Sequence, residues 1–246
     1  MTTSGDKKAI ISRLQKDILQ WEGFAPPEAG AVKGLGLGPM EAAFPNGVFP
    51  TGVIHEMLCP TRERQAATSG LLGGLLAVLM RQGGPCLWIS KDRRLFPPGM
   101  DGFDVEPDRM IFIDVRTEKE VLWAMEEALK CEGLAAVVAE VREISFAQSR
   151  RLQLAVESSR VTGFLLRNDL RKLGTTTCVA RWQVTPLPSV LEDGLLGVGY
   201  PRWQVDLLRV RNGSPGSWRL EWAANGFIPV EEIAAETNAL ETRQVG

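Results

Sequence analysis

Side chains of the types that most often do chemistry are sparse in this sequence. The chain of 246 residues has four cysteines, which lie far apart without a C-x-x-C pair, and a single histidine. This set predicts neither a zinc site nor a disulfide framework. The histidine, His55, lies within an apolar strand-like run, and no serine or cysteine has an evident base near it. A catalytic triad is therefore not supported, and we expect His55 to be a packed strand residue.

Arginines are concentrated in the second half of the chain. Between Arg142 and Arg219 there are twelve basic and six acidic residues, so this stretch carries +6 and the remainder of the chain −8. The planar guanidinium group suits fork-shaped recognition of a phosphate or a carboxylate. A solvated face beside an acidic tail accounts for the same charges, and both interpretations stay open.

The elements that must position these residues alternate between strands and helices. Strands are predicted at residues 53–58, 86–90, 110–114, 134–139 and 163–166. Helical patterns lie between them, over residues 64–82, from Thr117 onward and from Ser145 to about residue 161. The Thr117/Glu120 and Ser145/Gln148 spacings are those of capping boxes. Strands that alternate with helices predict right-handed crossovers and a parallel sheet.

The pattern changes after this alternating region. Three further strands are predicted at residues 177–184, 205–211 and 217–222, with few helical residues between them. The sequence RNGSPG, which starts at Arg211, is a strong turn signal between the last two strands. The predicted fold class is therefore α/β, a mainly parallel sheet flanked by helices with an antiparallel C-terminal extension.

Two terminal segments flank this body, which we place at residues 35–228. Residues 1–34 are predicted to hold an amphipathic helix and a linker, and the apolar stripe of that helix includes Ile10, Leu14 and Ile18. The stripe must be buried on this core or on a partner. Residues 229–246 form an acidic tail that we expect to be mobile. We see neither a signal peptide nor a run of the roughly 20 apolar residues that span a membrane, so we expect a cytoplasmic protein without a membrane partner.

The order of these elements resembles that of RecA over about residues 35–228. The segment Phe49-Pro50-Thr51-Gly52 leads into a strand that contains Glu56, as at the entry to a RecA core. CLWISKDRRLFPP resembles the second core strand and its loop, LAAVVAE the Walker B strand, and RNGSPGSWRLEW the terminal hairpin. The resemblance implies a RecA-like domain. Because RecA has an amphipathic first helix that packs on a neighbouring subunit, it also implies that self-association is possible.

A RecA-type phosphate loop needs the pattern G-x-x-x-x-G-K-[ST]. Its glycines let N–H groups wrap the phosphates, its lysine neutralises charge, and its hydroxyl binds magnesium. When Glu56 and Pro60 are aligned with RecA, the two glycines, the lysine and the hydroxyl residue correspond to Cys59, Arg64, Gln65 and Ala66. Because all four positions differ, the resemblance implies a degenerate phosphate loop, no ATP hydrolysis and no cofactor. A divergent RecA-type ATPase stays as an alternative.

Two carboxylates lie near positions that matter in RecA. Asp92 aligns with the acid that orients the attacking water, and Glu140 with the Walker B acid that helps to hold magnesium. A residual metal site is one interpretation. Acids are also common at the C-terminal ends of sheet strands, and we expect no metal here. Arg62 and Arg64 could bind an anion at the helix N-terminus or pair with these acids.

The DNA-binding loops of RecA follow the Walker B region. The corresponding segment here is the short sequence RNDLRKLGTT, with Arg167, Arg171 and Lys172. These side chains can reach phosphates, but no aromatic residue lies among them to stack on bases. We expect a contact to DNA or to an acidic partner surface and no autonomous filament on DNA.

A RecA-like body of this length with a changed phosphate loop resembles two bacterial families, ImuA and SulA. The N-terminal helix, the F-P-x-G-x-x-x-E entry and the near-complete core favour ImuA. Membership would imply a non-catalytic accessory factor in SOS-induced, error-prone translesion DNA synthesis. Its expected partners are ImuB, an inactive relative of Y-family polymerases, and an error-prone C-family DNA polymerase, with the stripe of Ile10, Leu14 and Ile18 as the partner-binding surface. A SulA-like inhibitor of the tubulin-like cell-division protein is the alternative.

Overall fold

The computed structural model describes residues 35–230, apart from Lys172, residues 191–197 and Asn225. It also describes six helical positions near the N-terminus: Lys7, Ile10, Ile11, Arg13, Leu14 and Asp17. Ile18 of the predicted stripe, and the predicted tail from residue 231 onward, lie outside the described residues. Within the described part of the chain, no helix has the length and apolar character needed to cross a membrane.

Nine strands of the described chain form one sheet. They are β1 (Ile54–Leu58), β2 (Cys86–Ser90), β3 (Met110–Asp114), β4 (Ala136–Val141), β5 (Thr162–Arg167), β6 (Ala180–Leu187), β7 (Arg202–Val210), β8 (Gly216–Ala223) and β9 (Gly226–Pro229). Their order across the sheet is β3-β2-β4-β5-β1-β6-β7-β8-β9. Pairing is parallel from β3 to β6 and antiparallel from β6 to β9. This confirms the predicted fold class, to which β9 is an addition that the sequence did not predict.

Three α-helices cover the sheet: α1 (Arg62–Gln82), α2 (Glu118–Ala128) and α3 (Phe146–Ser159). One buried cluster includes α1 and the antiparallel strands, and a second includes α2 and α3. Both predicted capping boxes are present, at the starts of α2 and α3. Each box satisfies backbone N–H groups that a helix start otherwise leaves unpaired.

Glycines let α1 approach a layer of aromatic rings. This aromatic layer consists of Phe103, Trp203, Trp222 and Phe227, with neighbouring ring centroids between 5.0 and 6.3 Å apart. A Cβ added at Gly74 would lie 2.6 Å from the rings of both Phe227 and Trp222. The close packing of α1 against the antiparallel strands therefore depends on the absence of a side chain at this position.

His55, the second residue of β1, is fully buried. Its Nε2 lies 2.8 Å from the Pro50 carbonyl oxygen, which can only accept, so Nε2 carries the proton. The Trp182 indole donates to Nδ1 at 3.3 Å, and the rings of Phe49 and Phe164 stack on the imidazole. Burial lowers the histidine pKa to about 4, an effect that the bond to Pro50 partly offsets. The expectation of a packed, neutral strand residue is confirmed.

Candidate functional site

The connection between β1 and α1 lies where a phosphate loop was sought. Only Cys59, Pro60 and Thr61 separate the strand from the helix, which is already regular at Arg62. The Thr61 side chain accepts from the Arg64 N–H at 3.3 Å, and its carbonyl accepts from the Gln65 N–H at 2.9 Å. These backbone donors cap a helix and do not surround a cavity.

Cys59 is buried at the start of this connection. Its thiol lies 3.4 Å from the hydroxyl of Thr68 in α1, and its N–H donates to the carbonyl of Arg167 at 2.8 Å. Burial raises the pKa of the thiol to about 12. Because the thiolate is the nucleophilic form, Cys59 is a packing residue and not a reactive one.

Gln65 and Glu140 face each other beneath the start of α1. The Gln65 amide donates to Glu140 Oε2 at 2.7 Å, and the Trp88 indole donates to Oε1 at 2.9 Å. Both carboxylate oxygens are thus satisfied by neutral donors from the protein. Burial raises the pKa of Glu140, although the bond from Trp88 acts in the opposite direction. The suggested pairing of Glu140 with Arg62 or Arg64 is therefore wrong, since position 65 faces the acid.

Asp92 takes a different partner from Glu140. It is exposed and pairs with Arg94 at 3.4 Å, and Arg94 also approaches the side-chain oxygen Oε1 of Gln65 at 3.5 Å. The described residues contain no group of three or more histidines, cysteines or acids arranged to hold a metal ion. Arg94, which the sequence did not single out, pairs with Asp92, and its charge also acts on Glu140.

A polar cleft of about 340 Å³ lies over these residues at the C-terminal edge of the sheet. Four cations and three acids line it: Arg62, Lys91, Arg94, Arg142, Asp92, Glu118 and Asp169. Two of the cations are already paired, in Arg94–Asp92 and Arg142–Asp169. The cleft is therefore of mixed charge, and its cations are partly neutralised by neighbouring acids.

Glu56 and Arg167 form an ion pair that is entirely buried. The distance between Arg167 Nη1 and Glu56 Oε1 is 2.7 Å, and both side chains are 0% exposed. The other oxygen, Oε2, accepts from Arg181 Nε at 2.7 Å and from the Thr176 hydroxyl at 3.0 Å. The prediction that Arg167 contacts DNA or a partner is wrong, because the last residue of β5 points into the protein and there, with Arg181, compensates the buried charge of Glu56.

Other arginines of the basic stretch hold the segment between β5 and β6. Arg181 donates to the Gly174 carbonyl at 3.0 Å, and Arg211 to the Thr177 carbonyl at 3.0 Å. Arg209 donates to the carbonyls of Thr176 at 3.0 Å and Cys178 at 2.9 Å. Much of the +6 stretch therefore stabilises its own loop. The sequence did not single out these arginines as a structural set. Glu56, an acid within an apolar strand, was the signal that could have pointed to them, because a buried charge needs a partner of opposite sign.

Arg171 is exposed at the surface of this segment but is partly neutralised. Its Nε lies 3.0 and 3.1 Å from the two carboxylate oxygens of Asp169. Hydrogen bonds from the Arg171 side chain, and to a smaller extent from the Arg171 backbone N–H, hold the pKa of Asp169 well below its usual range. Lys172 lies outside the described residues. Of the three predicted contact residues, Arg171 is the described one that a ligand can reach.

The N-terminal stripe is exposed where the structure describes it. Ile10 and Leu14 are both helical, and 54% and 53% of their respective surfaces are exposed. The described core therefore leaves these two side chains largely uncovered.

Known proteins are similar to this chain both in fold and in sequence. No family model matches the chain. A solved structure of the RadB recombinase aligns with a TM-score of 0.51 and 16% identity, covering 75% of this chain and 94% of that one, which shows that the fold is RecA-like. The cell division inhibitor SulA of Serratia marcescens is 27% identical over 47% of this chain and 68% of its own length.

Protein ImuA of Caulobacter vibrioides matches more of the chain. It is 33% identical, and the match covers 77% of this chain and 83% of the relative, with the same values in two strains of that organism. Identity and coverage of this extent show the family that the sequence resemblance had indicated. The chain belongs to the ImuA family.

Proposed function

We propose that this chain is a non-catalytic accessory factor in the damage-induced ImuA/ImuB mutagenesis system of bacteria. It acts in the cytoplasm during the SOS response, in error-prone translesion DNA synthesis. It binds an ImuB-type protein, an inactive relative of the Y-family polymerases, and through the complex an error-prone C-family DNA polymerase. Family membership supports the biological setting. The Gln65–Glu140 hydrogen bond supports the proposal that this factor does not hydrolyse ATP.

That hydrogen bond bears on catalysis through the two groups it joins. Gln65 aligns with the lysine of a phosphate loop and Glu140 with the acid that helps to hold magnesium, and the protein joins them at 2.7 Å. Nucleotide and metal would have to break this buried contact. The short, capped connection from Cys59 to Thr61 supplies no ring of free N–H groups in exchange. Hydrolysis of ATP is therefore not part of the proposed function.

The N-terminal helix is the proposed partner-binding element. Support comes from the exposed apolar side chains of Ile10 and Leu14, because a stripe that does not cover its own core can bury its surface on another protein. Ile18 extends the same stripe in the sequence. The Leu14→Asp, Ile18→Asp double variant is expected to lose co-purification with the ImuB-type protein. An intact complex would contradict this assignment.

A SulA-like role in blocking cell division is the second candidate, favoured by the match to SulA. A pull-down with the tagged full-length chain from DNA-damaged cells separates the two roles. The proposed function predicts recovery of the ImuB-type protein and the C-family polymerase. Recovery of the tubulin-like division protein in their place would favour the second candidate and overturn the first.

A further inference from the structure

A larger cavity, of about 640 Å³, opens beside the polar cleft. It lies between the first half of α1, the loop that follows β2, and the start of β7. Its apolar wall is formed by Leu95, Phe96, Met100, Phe103, Pro201 and Trp203. A volume of this size is typical of a binding pocket and exceeds the packing defects found within protein cores.

The floor of this cavity is rigid. A Cβ added at Gly70 of α1 would lie 3.0 Å from the Phe103 ring and 3.1 Å from the Trp203 ring, so both rings lie directly against the helix backbone. The same two rings belong to the aromatic layer, and their centroids are 6.1 Å apart. The cavity is therefore preformed, which lowers the entropic cost of binding.

The rim of the cavity exposes large apolar side chains. Phe96, which lines the cavity, is 71% exposed, and Tyr200, which precedes Pro201 of the wall in the chain, is 54% exposed. Exposed apolar surface at a concave site marks a place where another molecule binds.

The other end of the cavity is basic. Arg62 and Arg94 both line it, and Arg62 has no ion-pair partner among the described residues. Within the described part of the chain, Arg94 has long contacts of 3.4 Å to Asp92 and 3.5 Å to Gln65. Two guanidinium groups beside an apolar wall select a ligand in which a carboxylate lies next to an apolar group.

A phosphate chain fits this end less well than a carboxylate does. The N–H groups of Arg64 and Gln65 are used by Thr61, and Asp92 and Glu140 lie close to the same guanidinium of Arg94. A chain of phosphates needs more donors than this end offers, whereas a single carboxylate can be bound by the two arginines alone.

We propose that this cavity binds a segment of a partner protein in which a large apolar side chain lies next to an aspartate or glutamate. The apolar side chain inserts between Phe96 and Trp203, and the carboxylate pairs with Arg62 and Arg94. The inference rests on the proposed partner-binding function and adds a second docking surface, distinct from the N-terminal helix.

Co-purification of the full-length chain with the co-expressed ImuB-type protein tests the surface. The Arg62→Glu, Arg94→Glu double variant and the Phe96→Ser variant are each expected to reduce the recovered partner at least about tenfold, the loss that follows from removing a well-placed charged or aromatic anchor. Arg150→Glu and Leu154→Ser are matched controls, because both residues are exposed on α3. Circular dichroism melting verifies that every variant is folded.

The outcomes separate the two proposals. If the wild-type chain recovers no ImuB-type protein, the proposed function fails and this inference fails with it. If the wild-type complex forms and all the cavity variants recover as much partner as the controls, only this inference fails.

Photocrosslinking locates the occupant. The photoreactive residue p-benzoylphenylalanine in place of Phe96 is expected to crosslink to a partner peptide with an apolar residue within two positions of an acid, and the same group in place of Arg150 is not. An intact complex without a crosslink at position 96 would overturn the proposal. Loss of the crosslink on adding ATP and magnesium would also overturn it, since the cavity would then hold a nucleotide.

Discussion

Gln65 donates to Glu140 across 2.7 Å at the end of the sheet where nucleotides bind in active relatives of this fold. The contact is buried, and Trp88 completes it from the neighbouring strand. The pair therefore consists of a neutral amide and a carboxylate whose two oxygens are both satisfied. Five predictions follow from this contact and from other features of the fold.

The first concerns nucleotide binding. The wild-type chain is expected to show no saturable, magnesium-dependent ATP binding at micromolar nucleotide in titration calorimetry. The Gln65→Lys, Ala66→Thr double variant restores two side chains of a phosphate loop but is also expected not to bind. The reason is that the connection between β1 and α1 still has only three residues. ATP binding by this variant would show that the wild-type chain lacks only the side chains of a phosphate loop and not the shape of the loop. ATP binding by the wild type would contradict the proposed function.

The buried ion pair gives the second prediction. Glu56→Leu leaves Arg167 without its carboxylate, and the free energy of unfolding is expected to fall by about 3–5 kcal/mol. Arg181→Met should cost less, because Arg181 is 13% exposed and water can partly replace its contacts. Urea denaturation measures both values. An equal loss of unfolding free energy in the two variants would contradict the conclusion that the fully buried Arg167 depends more on Glu56 than Arg181 does.

Protonation of His55 gives the third. Its pKa falls from 6.5 in the unfolded chain to about 4 in the folded protein, so between these pH values only the unfolded chain takes up the proton. The free energy of unfolding should therefore be highest above pH 6.5 and should fall by roughly 3 kcal/mol as the pH drops through this window. Urea denaturation at several pH values, compared with a His55→Phe variant that lacks this group, isolates the effect. If the unfolding free energies of both proteins change with pH in the same way, His55 is not the source of the pH dependence.

The fourth prediction concerns the aromatic layer. Alanine favours a helix over glycine by about 1 kcal/mol, but a Cβ at Gly74 meets two rings at 2.6 Å, and overpacking costs about 1–3 kcal/mol. Gly74→Ala is therefore expected to destabilise the protein despite the gain in helix propensity. Gly102→Ala is the control, since an added Cβ there meets no atom within 4 Å. A Gly74→Ala protein as stable as wild type in urea would show that the rings can move away.

DNA binding gives the fifth. Arg171→Glu together with Lys172→Glu should weaken DNA binding by the chain or its partner complex. It should also flatten the plot of log affinity against log salt by about 1–2 units of slope. Because Asp169 already pairs with Arg171, the smaller value is expected. Fluorescence anisotropy over a range of salt concentrations measures the slope, with Arg150→Glu as control. An unchanged slope would remove this loop from the DNA interface.

Strand positions were predictable where turn residues mark both ends. The strands at 86–90 and 110–114 match the structure at both ends, the first after Pro85 and the second before the capping signal at Thr117. The apolar run at 134–139 has Gly133 before it but no turn residue directly after it, and the strand is Ala136–Val141. Residues 177–179, predicted to be strand, precede β6 and include carbonyls that bind arginines, which is a tertiary effect that local pattern does not encode.

The site was predictable in its positions but not in its contacts. The resemblance to RecA implied one region for Gln65 and Glu140, and the structure brings the two side chains together. Which side chain of the first helical turns faces the acid depends on where the helix begins, and a start at Arg62 turns position 65 inward and leaves position 62 exposed. Arg167 looked accessible because it was assigned to a loop. It is instead the last residue of β5, opposite Leu58, in a sheet covered on both faces.

The buried pair of Glu56 and Arg167 also constrains how this sequence can diverge. Losing Glu56 leaves the buried Arg167 without its carboxylate, and losing Arg167 leaves Glu56 with Arg181 as its cation, so each single substitution passes through an intermediate of lower stability. Descendants of this chain are expected to keep both residues or to exchange both for apolar ones. In an alignment of relatives, positions 56 and 167 should therefore covary, although 111 residues separate them along the chain.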